Sequence, residues 1–408
     1  MQLPSSCASA CPHFLAARGG PFCQGQILGR PSENLVLGSL ECCTTADKAL
    51  PRASGCYRED FMKFNHIYAA MLVAGIGLSA SAASAAELEL KYSSWLPPTS
   101  WVNTDLLLPY FDEVERVTDG RVAIEMLPKT VGTAASQFDV VREGLADVTL
   151  LIPGYTPGRF VTTELGELPF LETNSVEIIA PLFHRLFEQH LQPVGEYDEV
   201  KVLSMFLTSS GHVFNRVRPI EKIEDWQGLK IRSVGTGTTA SLEALGAVPI
   251  TKPSSEVFEM LTTGALDGSL SGPENLVVSK MVEVVTHGTI IPGGMYHAPV
   301  SVIMNKAAWE KISSEDQAAI TAISGDVLAK VVGQGYDRAD SKALETAQTR
   351  GTIHIVDASD ELVAAMKEKT ASLEGAWIER AKAAGLADPA AILTQFRADI
   401  AAAEAAKH

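Results

Sequence analysis

Hydrophobic and polar residues alternate along the chain in a way that predicts strands separated by helices. The segment LELKYSSWL, which begins at Leu88, has the alternation of a β-strand, and apolar residues at helical spacing follow from about Asn103 to Val117. GRVAIEML predicts a second strand, and ASQFDVVREGLADVTLLIPGY predicts a helix, a glycine stop and a buried strand. This order is typical of an α/β lobe with a largely parallel sheet.

A weak internal repeat predicts a second lobe of the same kind. FDVVREGLAD and FEMLTTGALD share a phenylalanine, a glycine and an aspartate at the same spacing, and a strand pattern follows each. After VSVIMNKAAWEKI the pattern is helical almost to the end, interrupted by the short strand GTIHIV. We expect a first lobe over 87–209 with returns after 298, a second lobe over 210–297, and helices from 298–408 that brace both.

The distribution of cysteine divides the chain at Met62. All six cysteines precede this residue. From Met62 onward, one lysine, an apolar run too short to span a bilayer and a stretch of small residues indicate a signal peptide over residues 62–86. We interpret residues 1–61 as an upstream extension from a mis-assigned start, with a small disulfide or metal module around CASAC as the alternative. The mature protein is then expected in the periplasm, beginning near Glu87.

The net charge of the chain bears on whether it binds nucleic acid. The formal net charge is −16, and the sequence has no long basic run. Both observations argue against nucleic-acid binding, and the apolar and charged fractions are ordinary for a soluble globular protein.

Candidate chemistry concentrates in QGLKIRSVGTGTTASLEALG, residues 227–246. LKIRSV predicts a strand and TTASLEALG an amphipathic helix, so that GTGTT, which begins at Gly235, lies at the helix N-terminus. Backbone N–H groups there favour an anion, and Arg232 at the strand end adds a planar, permanently charged donor. The alternative is a surface arginine with no ligand.

Several phrases that follow one another in order resemble a known family. They are VTDGRVAIEMLP, VREGLADV, GYTPGRF, ELPFL, IEDWQGLKIRSVG, LGAVPI, SSEVFEMLTTGALDG and VIMNKAAWEKIS. Together they resemble the substrate-binding proteins of tripartite ATP-independent periplasmic (TRAP) transporters, of the dicarboxylate-receptor type, over essentially all of residues 87–390.

The resemblance implies a two-lobed clamshell of the periplasmic binding protein type that captures a small organic acid without a cofactor. It implies that the arginine of GLKIR, here Arg232, pairs with the ligand carboxylate. It also implies a permease of small and large membrane subunits as the partner of the closed form. We expect the receptor to be a monomer.

Two positions depart from the family pattern. Family members often carry a second arginine upstream of GLKIR, and counting back places His212 there. The asparagine that many members have shortly after DG corresponds roughly to Ser271. A pocket with this histidine and serine is less cationic than the dicarboxylate versions, and protonation of His212 is expected to strengthen anion binding as the pH falls.

Other candidate ligand contacts follow predicted strands. Trp95, with Trp101 close behind it, follows the first strand at the sheet edge where α/β ligand sites form, and packing under a loop is the alternative. Tyr155 is expected near the ligand and Arg159 in a structural role. Tyr296 is expected in the cleft or at the hinge, as is its neighbour His297.

Two further groups have weaker claims. Glu256 lies near the start of a helix, where capping is the expected role and binding of a ligand amine the alternative. His184 and Glu188 are one helical turn apart, but two potential ligands without a third do not predict a metal site, and we expect both side chains to be solvated.

An exported hydrolase or lyase that acts on a small organic acid remains the alternative function. The serines of GSLSG have the wrong offsets for a nucleophile elbow, and GTGTT lacks the lysine of a P-loop. Catalytic groups that are distant in sequence keep this alternative open.

The start-site interpretation predicts how the protein is processed. Expressed from Met62 in a Gram-negative host, the protein should be recovered from the periplasm with its N-terminus near Glu87, as measured by intact mass. A stable cytoplasmic product that retains residues 1–61 and forms disulfides would contradict it.

Overall fold

The computed structural model describes residues 86–407, which belong to one compact unit, Ser79–His408. The predicted extension over 1–61 and the signal peptide, apart from Ala86, lie outside the described residues. Within the described part of the chain, no helix is both long enough and apolar enough to cross a membrane.

The first sheet has five strands in the order β2-β1-β3-β10-β4. β1 pairs in parallel with β2 and β3, whereas β10 runs antiparallel to both β3 and β4. The strands are β1 (Leu88–Ser93), β2 (Val122–Met126), β3 (Val148–Leu151), β4 (Val200–Ser210) and β10 (His297–Asn305).

The second sheet has six strands in the order β11-β9-β5-β8-β6-β7. β6 is parallel to β7 and β8, and β5 is antiparallel to β8 and β9. The strands are β5 (His212–Asn215), β6 (Lys230–Ser233), β7 (Val248–Thr251), β8 (Gly268–Ser271), β9 (His287–Ile290) and β11 (His354–Asp357).

The two sheets share one topology, and the sequence repeat lies at equivalent places in both. Asp147 makes two hydrogen bonds with the backbone of Lys91 in β1. Its carboxylate accepts from the Lys91 N–H at 2.8 Å, and its own N–H donates to the Lys91 carbonyl at 2.9 Å. Asp267 makes the same two bonds with Lys230 of β6, at 2.9 and 2.8 Å. In each copy, the glycine that ends the preceding helix has a positive φ, which other residues rarely adopt. The repeat therefore reflects two copies of one local structure.

The helices cover the sheets and dominate the C-terminal part. A π-helical turn, Val102–Leu107, leads into the first α-helix. The helices are α1 (Leu108–Val117), α2 (Gln137–Arg142), α3 (Val176–Leu186), α4 (Thr236–Ala244), α5 (Val257–Thr263), α6 (Asn275–Val278), α7 (Lys306–Lys311), α8 (Ser314–Ile323), α9 (Gly325–Arg350), α10 (Asp360–Thr370), α11 (Ser372–Ala383) and α12 (Pro389–Lys407). The expected α/β class with a helical C-terminal region is confirmed.

The longest helix connects the two sheets. α9 packs on α3 and β4 beside the first sheet and on α6 beside the second. Its 26 residues span about 39 Å at 1.5 Å per residue, so the chain leaves it next to the second sheet. There β11 pairs in parallel with β9, although the sequence assigned this region to the first lobe and its bracing helices.

Apolar packing joins the two sheets. One buried cluster includes Val148 and Val300 of the first sheet together with Ile231 and Leu270 of the second. Burial of apolar area in a cluster of this kind is the main favourable term in folding. The two sheets are thus held against each other, with a cleft at one edge of their contact.

Candidate functional site

The cleft lies where strands of both sheets end. The parallel strands β1 and β3 of the first sheet, and β6 and β8 of the second, direct their carboxyl ends toward it, which is where open α/β sheets bind ligands. It contains about 600 Å³ of space not filled by protein atoms, including the part open to solvent. Its lining residues are Trp95, Leu96, Trp101, Val102, Leu150, Ile152, Tyr155, Thr208, Arg232, Val234, Ser254, Gly272, Glu274, Asn275, Val278, Tyr296, Ala298, Val300 and Tyr336.

Arg232 supplies the positive charge of the cleft. The residue is 3% exposed, and its Nε donates to the Lys252 carbonyl at 2.7 Å, which orients the guanidinium. The two terminal nitrogens have only long contacts, from Nη1 to the Leu270 carbonyl at 3.5 Å and from Nη2 to the Tyr155 hydroxyl at 3.4 Å. Both therefore retain donor capacity for a carboxylate, which an arginine binds in two parallel hydrogen bonds.

Aromatic residues with anchored polar atoms surround this arginine. The Tyr155 hydroxyl accepts from the Ser254 N–H at 3.1 Å, and Trp95 Nε1 donates to the Leu150 carbonyl at 2.8 Å. The Trp95 and Tyr155 rings meet edge to face, with centroids 5.7 Å apart. Tyr296 is buried, its hydroxyl donates to the Leu270 carbonyl at 3.3 Å, and burial raises its pKa. These hydrogen bonds and the ring contact are made within the protein, and they orient the aromatic groups around the cleft.

Most of the remaining wall of the cleft is apolar, and the polar residues in it are Thr208, Ser254, Glu274 and Asn275. Trp101 and Tyr336 pack edge to face with centroids 4.9 Å apart, and aliphatic side chains such as Ile152, Val278 and Val300 complete the surface. A cleft with one cation and such walls suits an acid whose remaining part is apolar, because aromatic and aliphatic surface is stabilised by contact with similar surface.

The structure brings together four of the residues that the sequence singled out for ligand binding. Arg232, Trp95, Tyr155 and Tyr296 all line the cleft, as does Trp101. They come from both sheets, since Trp95 and Tyr155 follow strands of the first and Arg232 lies in the second. Their roles in binding remain predictions.

His212 does not take the position expected of a second arginine. It lies at the start of β5, is 3% exposed and is not among the described residues that line the cleft. Its Nδ1 accepts from the Ile291 N–H at 3.1 Å, and its Nε2 lies 3.1 Å from the Ser210 hydroxyl. Burial, and secondarily the nearby His297, lower its pKa to about 3. His212 is therefore a neutral core histidine, and the pH response expected from it loses its basis.

Ser271, which was expected at the position of the family's asparagine after DG, does not line the cleft among the described residues. Ser271 is buried in β8, opposite His212, and its hydroxyl bonds that of Ser269. The cleft is lined instead by Glu274 and Asn275, which the sequence analysis did not select. The signal was present, because DGSLSGPEN carries an asparagine four positions after Ser271.

Glu256 neither caps a helix nor lines the cleft in the described structure. Its side chain is 46% exposed and pairs with Lys252 at 2.9 Å, one turn away. The backbone precedes α5, but no side-chain cap is formed there. The reading of Glu256 as an acceptor for a ligand amine is therefore not supported.

The anion site predicted at GTGTT exists, but a carboxylate of the protein itself fills it. Glu167, from a 3₁₀ segment after the first sheet's third strand, is 1% exposed and accepts at Oε2 from the N–H groups of Gly237 at 2.8 Å and Thr238 at 3.4 Å. A Cβ at Gly235 or Gly154 would collide with this carboxylate, so glycine is required on both sides of it. Gly235 thus makes room for Glu167 and is not one of the described residues that line the cleft.

The other polar candidates lie outside the cleft. Arg159 stacks on the Phe138 ring, 4.0 Å from its centroid, and pairs with Asp139 at 2.9 Å, in keeping with a structural role. Glu188 is exposed as expected, but the expectation that His184 is solvated is wrong, because its ring is buried and Nδ1 accepts from the Met205 N–H, while Nε2 lies 3.4 Å from Glu188. Within residues 86–407, no group of three or more histidines, cysteines or acidic residues is placed to hold a metal ion.

The family model for bacterial extracellular solute-binding proteins, family 7, matches residues 92–379. The C4-dicarboxylate-binding periplasmic protein of Rhodobacter capsulatus is 29% identical over 279 residues, which cover 61% of this chain and 83% of the relative.

Solved structures give closer matches. A TRAP periplasmic solute-binding protein from Bordetella bronchiseptica, solved with bound (R)- and (S)-mandelate, is 39% identical with a TM-score of 0.73, over 76% of this chain and 98% of the other. A TRAP solute-binding protein from an unidentified marine microbe, specific for aromatic acid ligands and solved with 3-hydroxybenzoate, is 30% identical with a TM-score of 0.73, over 78% and 98%.

The buried carboxylate at the start of α4 predicts a dependence of stability on pH. Burial raises the pKa of Glu167 to about 7 from an ordinary value near 4.5, although the two N–H donors oppose the shift. Between these values the folded protein keeps a proton that the unfolded chain releases, so stability falls as the pH rises from 4.5 through 7. Glu167→Gln removes the titration and should abolish a decrease of about 3 kcal/mol in the free energy of unfolding.

Urea denaturation at pH 5 and pH 8 measures this difference. Glu259→Gln, which changes an exposed glutamate of α5, is the matched control and should keep the wild-type dependence. A Glu167→Gln variant whose stability varies with pH as the wild type's does would show that the carboxylate is ionised throughout.

Proposed function

We propose, on the premise that the chain belongs to the bacterial extracellular solute-binding proteins of family 7, that its ligand is a small aromatic monocarboxylic acid. Members of this family capture carboxylates outside the cytoplasm and deliver them to TRAP transporters, and this chain is a TRAP substrate-binding protein. The family does not specify which acid is bound, so we infer the class of acid from the residues that line the cleft.

The observation that carries the proposal is the single cation of the cleft set among aromatic rings. Among the described lining residues, Arg232 alone has a cationic side chain, while Trp95, Trp101, Tyr155 and Tyr336 supply ring surface. A dicarboxylate needs a second cation or donor set for its second charge, because a buried carboxylate without a partner is costly. One carboxylate on an apolar or aromatic body matches the cleft.

The relatives support this choice. The two solved neighbours described above bind mandelate and 3-hydroxybenzoate, each a single ring with one carboxylate. The relative whose name specifies a C4-dicarboxylate is 29% identical and matches 61% of this chain, whereas the two solved neighbours match 76% and 78% of it. A mandelate-like or benzoate-like acid is therefore the proposed ligand class.

The next question is where the protein works and to which partner it delivers the acid. We propose that the mature protein works in the periplasm, after removal of the signal peptide, and passes its ligand to the small and large membrane subunits of a TRAP permease. The family's role in TRAP transport supports this partner. The alternative of an exported hydrolase or lyase is less favoured, because the family and the structural neighbours are solute-binding receptors.

The proposal predicts the effect of removing the arginine. A charge-assisted pair in a closed cleft typically costs about 2–5 kcal/mol of binding when one partner is truncated, so Arg232→Ala should lose most of its affinity for benzoate or mandelate. Arg232→Lys should recover only part of it, because an ammonium group cannot reproduce the planar fork. Calorimetric titration measures both variants, and succinate tests the dicarboxylate alternative.

Melting temperatures separate binding from folding. Arg350→Ala, at an exposed position on α9, is the matched control and should bind as the wild type does. Wild-type affinity in a folded Arg232→Ala variant would place the carboxylate elsewhere, and tighter binding of succinate than of benzoate would overturn the aromatic assignment.

A further inference from the structure

The cleft contains a second ionisable group, Glu274, whose contacts are incomplete. Glu274 is 8% exposed and follows β8, so it enters the cleft from the second sheet. Its Oε1 accepts from Asn275 Nδ2 at 2.5 Å. Its Oε2 is fully buried and forms no hydrogen bond of good geometry among the described residues, although the Ser209 hydroxyl and the Asp340 carboxyl lie close enough to shift its pKa. Buried polar atoms without partners are rare in folded proteins and require an explanation.

The surroundings of Glu274 favour its neutral form. Asp340 of α9 lies beside it, and one Asp340 oxygen accepts from the Glu274 N–H at 2.9 Å. Burial, followed by the charge of Asp340, raises the pKa of Glu274 well above its ordinary value. Burial also raises the pKa of Asp340, to about 6. Two carboxyl groups this close cannot both ionise easily, so the pair holds a proton to higher pH than either group would alone.

Other charged and titratable groups face the pair from several elements. Most are neutral at ordinary pH or point to solvent, and Arg232 is the cation within the cleft. They are Arg232 on β6, Tyr155 after β3, Tyr296 before β10, Tyr336, Asp337, Arg338 and Lys342 on α9, and Asp105 before α1.

The charge state of Glu274 decides whether Arg232 is available. An ionised glutamate in the same cleft would attract the guanidinium and repel an incoming carboxylate. A neutral glutamic acid leaves the arginine to the ligand, and its O–H, which the Asp340 carboxyl is close enough to accept in the structure, can be donated to a ligand carboxylate instead. A hydrogen bond from an O–H to a carboxylate is charge-assisted and stronger than one between neutral groups.

We propose that Glu274 binds the ligand as a neutral carboxylic acid, donating its O–H to the carboxylate that Arg232 also holds. The proposal rests on the proposed function only in that the ligand is a carboxylate bound at Arg232. It makes Glu274 a specificity-determining residue, because the cleft then recognises a carboxylate by one cation and one neutral donor. Anion binding becomes coupled to retention of a proton in the cleft.

The coupling has a definite sign. Benzoate is the probe, and carboxylic acids of its kind ionise near pH 4, so its charge is constant above about pH 5.5. As the pH rises through the pKa of Glu274, the donor is lost and a competing carboxylate appears. Affinity should therefore be highest at acidic pH and should fall at higher pH, by at least about tenfold between pH 5.5 and pH 9.

Three variants assign the effect to Glu274. Glu274→Gln, a permanently neutral donor weaker than the acid, should bind benzoate about threefold to tenfold more weakly at pH 5.5 and should lose the pH dependence. Asp340→Asn removes the charge that raises the Glu274 pKa, so its affinity should begin to fall at lower pH than the wild type's. Glu283→Gln, at an exposed position in the same segment, should keep the wild-type profile.

Calorimetric titration across this pH range separates the outcomes. Constant wild-type affinity from pH 5.5 to pH 9 overturns the proposal. A wild-type fall with pH that persists in Glu274→Gln also overturns it and assigns the effect to another group, such as Glu167. If either result is obtained but Arg232→Ala loses benzoate binding, the proposed function still holds and only the role of Glu274 is overturned. If the wild-type protein binds no aromatic acid, the proposed function and the role of Glu274 are both overturned.

Discussion

The cleft depends on one buried cation that has no carboxylate partner within the described chain. Placing a guanidinium where water is scarce is costly, and the protein offsets that cost with carbonyl oxygens rather than with an acid. The Lys252 carbonyl fixes Arg232 at Nε and leaves the two terminal nitrogens free to face a ligand. We propose that a ligand carboxylate is the anionic partner of Arg232, which makes an anion the favoured occupant of the cleft.

The fold provides this arrangement by using the same sheet twice. In each sheet a strand with two parallel neighbours, β1 or β6, is followed by two antiparallel pairings, and the second sheet adds β11 in parallel to β9. Both sheets direct the ends of parallel strands toward the cleft. The first sheet contributes Trp95 and Tyr155, the second contributes Arg232 and Glu274, and α9 runs along both. Glu167 adds a polar contact between the two sheets' regions. It follows β3 of the first sheet, and its carboxylate accepts from backbone N–H groups at the N-terminus of α4, the helix after β6 of the second sheet.

Local sequence was sufficient for much of this picture, and the limits have physical reasons. Arg232 and Trp95 were found because a strand end and the residues after it are close in sequence, and the edge of an α/β sheet is where ligands bind. His212 was wrong because counting residues back from β6, through the connecting segment and into β5, cannot show which face of the sheet the side chain occupies. The sequence predicted an anion at the helix N-terminus near Gly235, but the anion is the protein's own Glu167 and not a ligand. Glu167 is far away in sequence and reaches α4 only through the tertiary fold. Glu274 was missed because its importance depends on Asp340, which the chain brings near only through α9.

A crystal structure of the protein with bound benzoate tests the central claim most directly. The account predicts both carboxylate oxygens within hydrogen-bond distance of the terminal nitrogens of Arg232, the ring against the aromatic wall formed by Trp95, Trp101 and Tyr336, and the two sheets closed around it. A benzoate whose carboxylate lies away from Arg232, or a ligand bound outside the cleft, would contradict the account.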